Sequence, residues 1–229
     1  MIPLQEGSKH IYATLRVAPL GDDAVVMTFG DTISREVASR VRSVADAILA
    51  EGIRGVVDVV PAYTTIAVYF DPVHTSRDEL TTLLAGLCGR AVTIDPLGEA
   101  AGRVVEIPVR YEGPDLNEVA EQTGVSVNDV IERHAAPTYY AYMLGFVPGF
   151  AYLGDLDPSL VLPRRTTPRQ RVPAGSVAIA GAQTAVYPLV TPGGWHIIGS
   201  TALAMFDVNR HPPALIRAGD NVRFVPVRD

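Results

Sequence analysis

The chain has 229 residues, 48% of them hydrophobic, with a formal net charge of -6, enough to bury a core as one large β domain or two ordinary domains. The acidic balance offers no general attraction to nucleic acid or an anionic membrane, and no run approaches the ~18 apolar residues of a membrane span. A single cysteine, Cys88, excludes an internal disulfide and a thiolate metal cluster, while a single lysine, Lys9, argues against P-loop, Schiff-base or biotin-carrying chemistry.

The opening Met1-Ile2-Pro3-Leu4-Gln5-Glu6 lacks the basic-then-apolar order of a secretion signal, so a cytoplasmic protein is expected. Val25–Phe29 predicts a strand after the Gly21-Asp22-Asp23 turn. Ile33, Val37, Val41, Val44 and Ile48 then line one face of a helix over Thr32–Glu51, which Gly52 closes by accepting a left-handed cap. Val56–Val60 and Ile66–Phe70 predict paired strands. Ser76-Arg77-Asp78-Glu79 is a capping-box signature ahead of Leu80, Leu83, Leu84 and Leu87. The weakly patterned Ala91–Gly102 is the linker candidate, giving an expected small α/β domain over residues 1–98.

From residue 99 onward the pattern changes. Short helices are expected at Asp115–Thr123 and Ser126–Ala135, the second ended by Pro137. Apolar β-type runs follow at Ser176–Ala180, Ala185–Val190, Trp195–Ile198, Leu203–Phe206 and Val222–Val227, separated by Gly and Pro in the rhythm of a barrel or sandwich. The two short helices also resemble the first part of a helix-turn-helix. Asp129 and Glu132 against Arg133 oppose a phosphate backbone, so DNA binding is not expected.

Three segments hold the residues that could carry chemistry. Met143–Gly154 sets Phe146, Phe150 and Tyr152 among three glycines and Pro148; rings this large must pack on a core, a ligand or a partner. Pro163–Pro173 carries Arg164, Arg165, Arg169 and Arg171 with no acid, which suits a carboxylate or phosphate if it is more than a solvated basic loop. Thr191–Ser200 is a tight turn with Gly193, Gly194, the sole Trp195, and His196. Gln183, Thr184 and Tyr187 could serve a pocket, but strand alternation would send them to opposite faces. His10, His74, His134, His196 and His211 lack metal-ligand spacing, so no metal is expected, and no standard catalytic motif is present.

Gly145-Phe146-x-Pro148-Gly149-Phe150-x-Tyr152-Leu153-Gly154 resembles the central signature of the family of allophanate hydrolase subunit 1, the B-type subunit of 5-oxoprolinase and the sporulation-kinase inhibitor KipI. Pro163-Arg164, Arg169, Val172–Val177, Gly181-x-Gln183-Thr184, Tyr187-Pro188, Pro192–Trp195 and Ile198-Gly199 extend the match in order, with His134 and Pro137-Thr138-Tyr139 on its approach. It is strong over Glu106–Val227 and looser before. Ala151 and Ala182 replace a common proline and glycine, Tyr111–Pro114 looks shortened, and the residue type at His196 varies.

The resemblance implies an α+β protein, a small ferredoxin-like α/β domain followed by a cyclophilin-like β barrel at 99–229. It implies a subunit of an ATP-dependent 5-oxoprolinase, converting 5-oxoproline to glutamate, inactive alone and working with a homologous second subunit of the allophanate hydrolase subunit 2 or KipA type and with a third subunit. Inhibition of a sensor histidine kinase, or urea and allophanate metabolism, are the alternatives, since related domains form the carboxyltransferase part of urea carboxylase. In a shared site, Phe146, Phe150, Tyr152 and Trp195 would form apolar walls beside Pro148, Gly193 and Gly194. Arg164 or Arg169 would hold an anion, Gln183, Thr184 and Tyr187 would orient amide groups, and His134 would transfer a proton.

Overall fold

A computed structural model of the chain describes residues 15–91 and 103–227. The expected boundary at residue 98, most of the expected linker, Lys9 and His10 lie outside them. The chain divides into two compact units, Met1–Glu99 and Ala100–Asp229.

In the first unit, β1 (Arg16–Pro19), β2 (Ala24–Thr28), β3 (Val56–Pro61) and β4 (Thr65–Phe70) form an antiparallel sheet of order β1-β2-β4-β3. Helix α1 (Arg35–Glu51) connects β2 to β3, and α2 (Arg77–Ala91) follows β4. Alternation sends Val25 and Met27 of β2 and Ile66, Val68 and Phe70 of β4 to one face. There they meet Val41, Val44 and Ile48 of α1 and Leu80, Leu84 and Leu87 of α2. The caps expected at Gly52 and at Ser76–Glu79 are present, and Ser34 supplies a further one at the start of α1. The Ser34 hydroxyl accepts from the Val37 N–H, Gly52 is left-handed at φ 60°, and Ser76 and Glu79 exchange hydrogen bonds at the start of α2. Cys88 lies in this core, where burial pushes its thiol up to about 11, so it packs as a small apolar group rather than a reactive one.

The second unit contains β5 (Val104–Val109), α3 (Leu116–Thr123), α4 (Val127–Ala135), β6 (Tyr139–Leu144), β7 (Ala151–Gly154), β8 (Arg169–Val172), β9 (Ser176–Ala180), β10 (Gln183–Val186), β11 (Thr191–Gly193), β12 (His196–Ser200) and β13 (Asn221–Pro226). Seven strands form one sheet of order β12-β9-β10-β7-β6-β13-β5, with β5 parallel to β13. Its two edges meet where Arg110 and Ser200 exchange backbone hydrogen bonds of 2.9 Å each, which nearly closes the sheet into a barrel. Inside lie Ile107, Val109, Tyr139, Ala141, Leu153, Val177, Ile179, Val186, Ile198 and Phe224. β8 and β11 form a separate two-stranded ribbon.

Several elements depart from the sequence pattern. β6 and β7 are strands for which the sequence pattern gives no expectation, because Tyr139 to Tyr142 are buried on both faces and leave no apolar–polar alternation. Leu203–Phe206 is not a strand: Phe206 makes only an isolated bridge with Ala214, and the Arg210 guanidinium takes the carbonyls of Ala204 and Met205. The strand expected at Ala185–Val190 ends at Val186, ahead of Pro188. The helix-turn-helix likeness dissolves as well, since α3 packs on β12 and α4 on β13, burying Val130 and His134.

Gly113 sets the distance between the segment before α3 and the barrel. Its N–H donates to the Ile198 carbonyl at 3.2 Å, and a Cβ there would stand 2.3 Å from the Ile197 carbonyl oxygen and 2.4 Å from the Ile198 carbonyl carbon. Backbone cannot yield as a flexible side chain does. Gly113→Ala is therefore expected to destabilise the chain by about 2–3 kcal/mol, the cost of overpacking a tight contact, and a denaturant midpoint equal to that of the unchanged chain would refute this.

Candidate functional site

Strand β9 is buried on both sides. Val177 and Ile179 enter the barrel core, whereas Ala178 and Ala180 point outward into a second cluster with Ala185, Tyr187, Trp195, Ile197, Val172 and Phe150. Small alanines on this outer face leave room for large rings. Phe150 is the hub, in edge-to-face contact with Phe146 (5.5 Å), Tyr152 (4.9 Å), Tyr187 (5.3 Å) and Trp195 (5.7 Å).

The hairpin between β6 and β7 delivers these rings. Its turn is closed by the Gly145 N–H on the Phe150 carbonyl and the Phe150 N–H on the Val147 carbonyl, both at 3.1 Å. Within it Phe146 adopts φ 70°, a left-handed conformation unfavourable for a bulky residue, and the residue is 60% exposed. An exposed aromatic held in a strained backbone is a feature found at ligand and partner sites. The ribbon supplies the opposite wall. Gly193 lies against the Tyr187 phenol so closely that a Cβ would stand 2.3 Å from its oxygen.

Between hairpin and ribbon is a cleft of about 230 Å³, lined by Phe146, Phe150, Tyr152, Arg164, Pro168, Tyr187, Pro192, Gly193, Gly194 and Trp195. Burial holds the Tyr187 phenol above the ordinary value, partly offset by the Trp195 backbone N–H and by the charges of Arg164 and Arg169. Arg164 is exposed at the mouth and makes no hydrogen bond or ion pair with a described residue.

Two of the other arginines of this run, Arg165 and Arg169, are committed, while Arg171 is exposed. Arg169 Nη2 donates to Asp115 Oδ1 at 2.6 Å, and Arg165 Nη1 donates to the same oxygen at 3.0 Å and to Glu118 Oε2 at 2.8 Å. Asp115 Oδ2 accepts from the Ile197 N–H at 2.7 Å. Of the arginines singled out in the sequence, Arg164 faces the cleft and Arg169 braces its wall. Sequence reasoning misses Asp115 and Glu118 because they lie some fifty residues away, at the start of α3. Only the acid-free run of arginines hints that carboxylates must come from elsewhere.

Strand alternation separates the remaining candidates. Tyr187 joins the outer cluster, and Thr184 points into the barrel; Gln183 and the exposed Pro148 are not part of the lining. His134 stands apart from the cleft, fully buried beside Phe224 at 4.6 Å. Thr184 donates its hydroxyl proton to the Ala178 carbonyl (3.1 Å), so it must accept from His134 Nε2–H (2.8 Å), and His134 Nδ1 then accepts from the Tyr111 hydroxyl (2.7 Å). Burial pushes the imidazole down to about 3. Both nitrogens are used and the ring is neutral near pH 7.

Among the described residues no group of His, Cys, Asp and Glu could hold a metal ion, and no helix is long and apolar enough to cross a membrane. The cleft does not fit a nucleoside triphosphate. It falls below the ~300–1,000 Å³ usual for drug-sized ligands, and its lining carries one cationic side chain.

A family model for the carboxyltransferase domain, subdomains C and D, matches residues 15–216. The B-type subunit of 5-oxoprolinase from Bacillus subtilis (strain 168) is 39% identical over 224 residues, covering 93% of each chain. The crystal structure of TTHA0988 is similar at 43% identity and a TM-score of 0.79, covering 90% of this chain and 40% of that one, so this chain spans less than half of that protein. The urea carboxylase of Kluyveromyces lactis shares the fold at 17% identity, with a TM-score of 0.73 over 93% of this chain and 22% of its own.

Proposed function

The chain belongs to the carboxyltransferase-domain family, subdomains C and D, and is a relative of the B-type subunit of 5-oxoprolinase, and from that premise we propose that it is the corresponding subunit of a cytoplasmic, ATP-dependent 5-oxoprolinase-type complex. It works with a homologous partner subunit and a third subunit to open 5-oxoproline to glutamate. ATP is held elsewhere in that assembly, since this cleft does not suit it. The barrel is read as cyclophilin-like. The first unit is read as a ferredoxin-like variant over residues 1–98, in which β1 fills the sheet edge beside β2.

The observation that carries the reading is the Arg164 guanidinium, without a described partner, at the mouth of an aromatic slot sized for one small ring. A lactam carboxylate matches this pairing. Arg164 takes the carboxylate through two parallel N–H donors, and Phe150, Tyr152 and Trp195 enclose the ring. The Tyr187 hydroxyl, which burial keeps protonated, donates to the lactam carbonyl. Exposed Phe146 and Pro148 mark the side the partner covers, excluding water from the slot. His134, Thr184 and Tyr111 hold the barrel together and take no part in proton transfer.

Co-expression with the homologous partner should give a stable complex by size-exclusion chromatography. Adding 5-oxoproline should then change the emission of Trp195, the chain's one tryptophan and part of the cleft wall. Failure to form any complex, or an emission indifferent to 5-oxoproline, would remove the shared-site reading.

A further inference from the structure

Asp115 stands at the N-terminal boundary of α3 yet does not cap it: its side chain makes no bond to the first turn of the helix. Both carboxylate oxygens are instead spent across the fold. Oδ1 takes Arg165 and Arg169, Oδ2 takes the Ile197 N–H, and the side chain is 3% exposed. The Asp115 backbone N–H also donates to the Ile197 carbonyl at 3.0 Å. One buried carboxylate thus receives two guanidinium donors and a main-chain donor.

The points it ties together are the walls of the cleft. Arg165 directly follows Arg164, Arg169 directly follows Pro168, and Ile197 comes two residues after Trp195; all three neighbours line the cleft. Arg165 is held a second time, its N–H donating to the Gly194 carbonyl at 2.8 Å, and Arg169 pairs in register with Gly193. A guanidinium on a long side chain loses rotamer freedom when it grips an anion, and a fixed backbone beneath it reduces that loss.

We propose that Asp115 is a positioning residue, which clasps the segments at Arg165, Arg169 and Ile197 so that the cleft keeps its shape and Arg164 stands ready for a ligand carboxylate. The part concerning Arg164 rests on the lactam-carboxylate reading above; the part concerning cleft shape does not. Removing the charge should leave the first turn of α3 unchanged, since the side chain makes no bond to it, while loosening the aromatic walls. Asp115 touches no ligand in this role, so its effect falls on binding rather than on turnover.

The test is Asp115→Asn in the full chain, with two readings. Acrylamide quenching of Trp195 in the chain alone should rise at least about twofold, because a wall residue now 5% exposed becomes accessible. In the assembled complex the KM for 5-oxoproline should rise about tenfold with kcat nearly unchanged. Combining Asp115→Asn with Arg164→Ala should give a loss clearly smaller than the product of the two single losses, as expected for residues that act partly as a unit. Unchanged quenching and KM, or losses that multiply in the double variant, would overturn the proposal. If Arg164→Ala leaves KM unchanged, the carboxylate reading fails, and the quenching comparison alone decides the clasp. Should Asp115→Asn not fold, Arg165→Gln, which releases one arm of the clasp, is judged by the same readings.

Discussion

Replacing Arg164 by alanine is expected to lower kcat/KM of the assembled complex for 5-oxoproline by roughly 10- to 100-fold, the value of a charge-assisted hydrogen-bonding pair of about 1.5–3 kcal/mol. Its stability should scarcely change, because Arg164 is exposed and makes no hydrogen bond or ion pair with a described residue. Arginine offers a planar fork where lysine offers a point charge, so Arg164→Lys should recover part of the loss and not all of it. The contrast with Arg169 is instructive. Removing Arg169 deprives a buried carboxylate of its 2.6 Å partner, so any loss of activity there is mixed with loss of structure. Steady-state kinetics of the Arg164 variants settles the matter, and a wild-type kcat/KM for Arg164→Ala would dismiss the cleft as a carboxylate site.

The second large effect concerns acid. His134 is neutral in the folded chain down to about pH 3, whereas in the unfolded chain it titrates near its ordinary 6.5. Between those values the unfolded state binds the extra proton, so the stability is complete above about pH 6.5 and lost as pH falls toward 3. The loss amounts to about 2 kcal/mol by pH 5. Carboxylates whose values are lowered, such as Asp129 and Asp157, titrate at more acidic pH than that. His134→Gln, which does not titrate, should therefore lose much less stability between pH 7 and pH 5 than the unchanged chain, whatever its stability at pH 7. Urea unfolding at the two pH values measures this, and parallel losses in both chains would show that His134 is not buried neutral. The same result bears on mechanism, since a ring this costly to protonate is a poor proton carrier.

Much of the second unit is legible in the chain because its punctuation is local. The Gly and Pro residues that separate β9, β10 and β12 mark turns, and Ser126 with Asp129 forms the cap that starts α4. The hairpin strands β6 and β7 are not legible, because a strand buried on both faces loses its period of two. The site divides along the same line. Phe150, Tyr152, Tyr187 and Trp195 are conspicuous by size and line one cleft, while alternation sends Thr184 to the inner face, where it meets His134 of α4. The roles of the individual arginines are not legible. Nothing within Pro163–Pro173 tells Arg164 from Arg169 until α3 brings Asp115 and Glu118 to Arg165 and Arg169. Long-range ion pairs have no sequence period, and the carboxylate that organises the cleft is separated from its arginines by the hairpin of β6 and β7.

Whether this chain takes part in the reaction is measured most directly by glutamate release from 5-oxoproline and ATP in a mixture of the three subunits, set against the same mixture without this chain. ATP-dependent glutamate formation is expected in the complete mixture and none when the chain is omitted. Equal formation in both mixtures would show that the chain takes no part in the reaction.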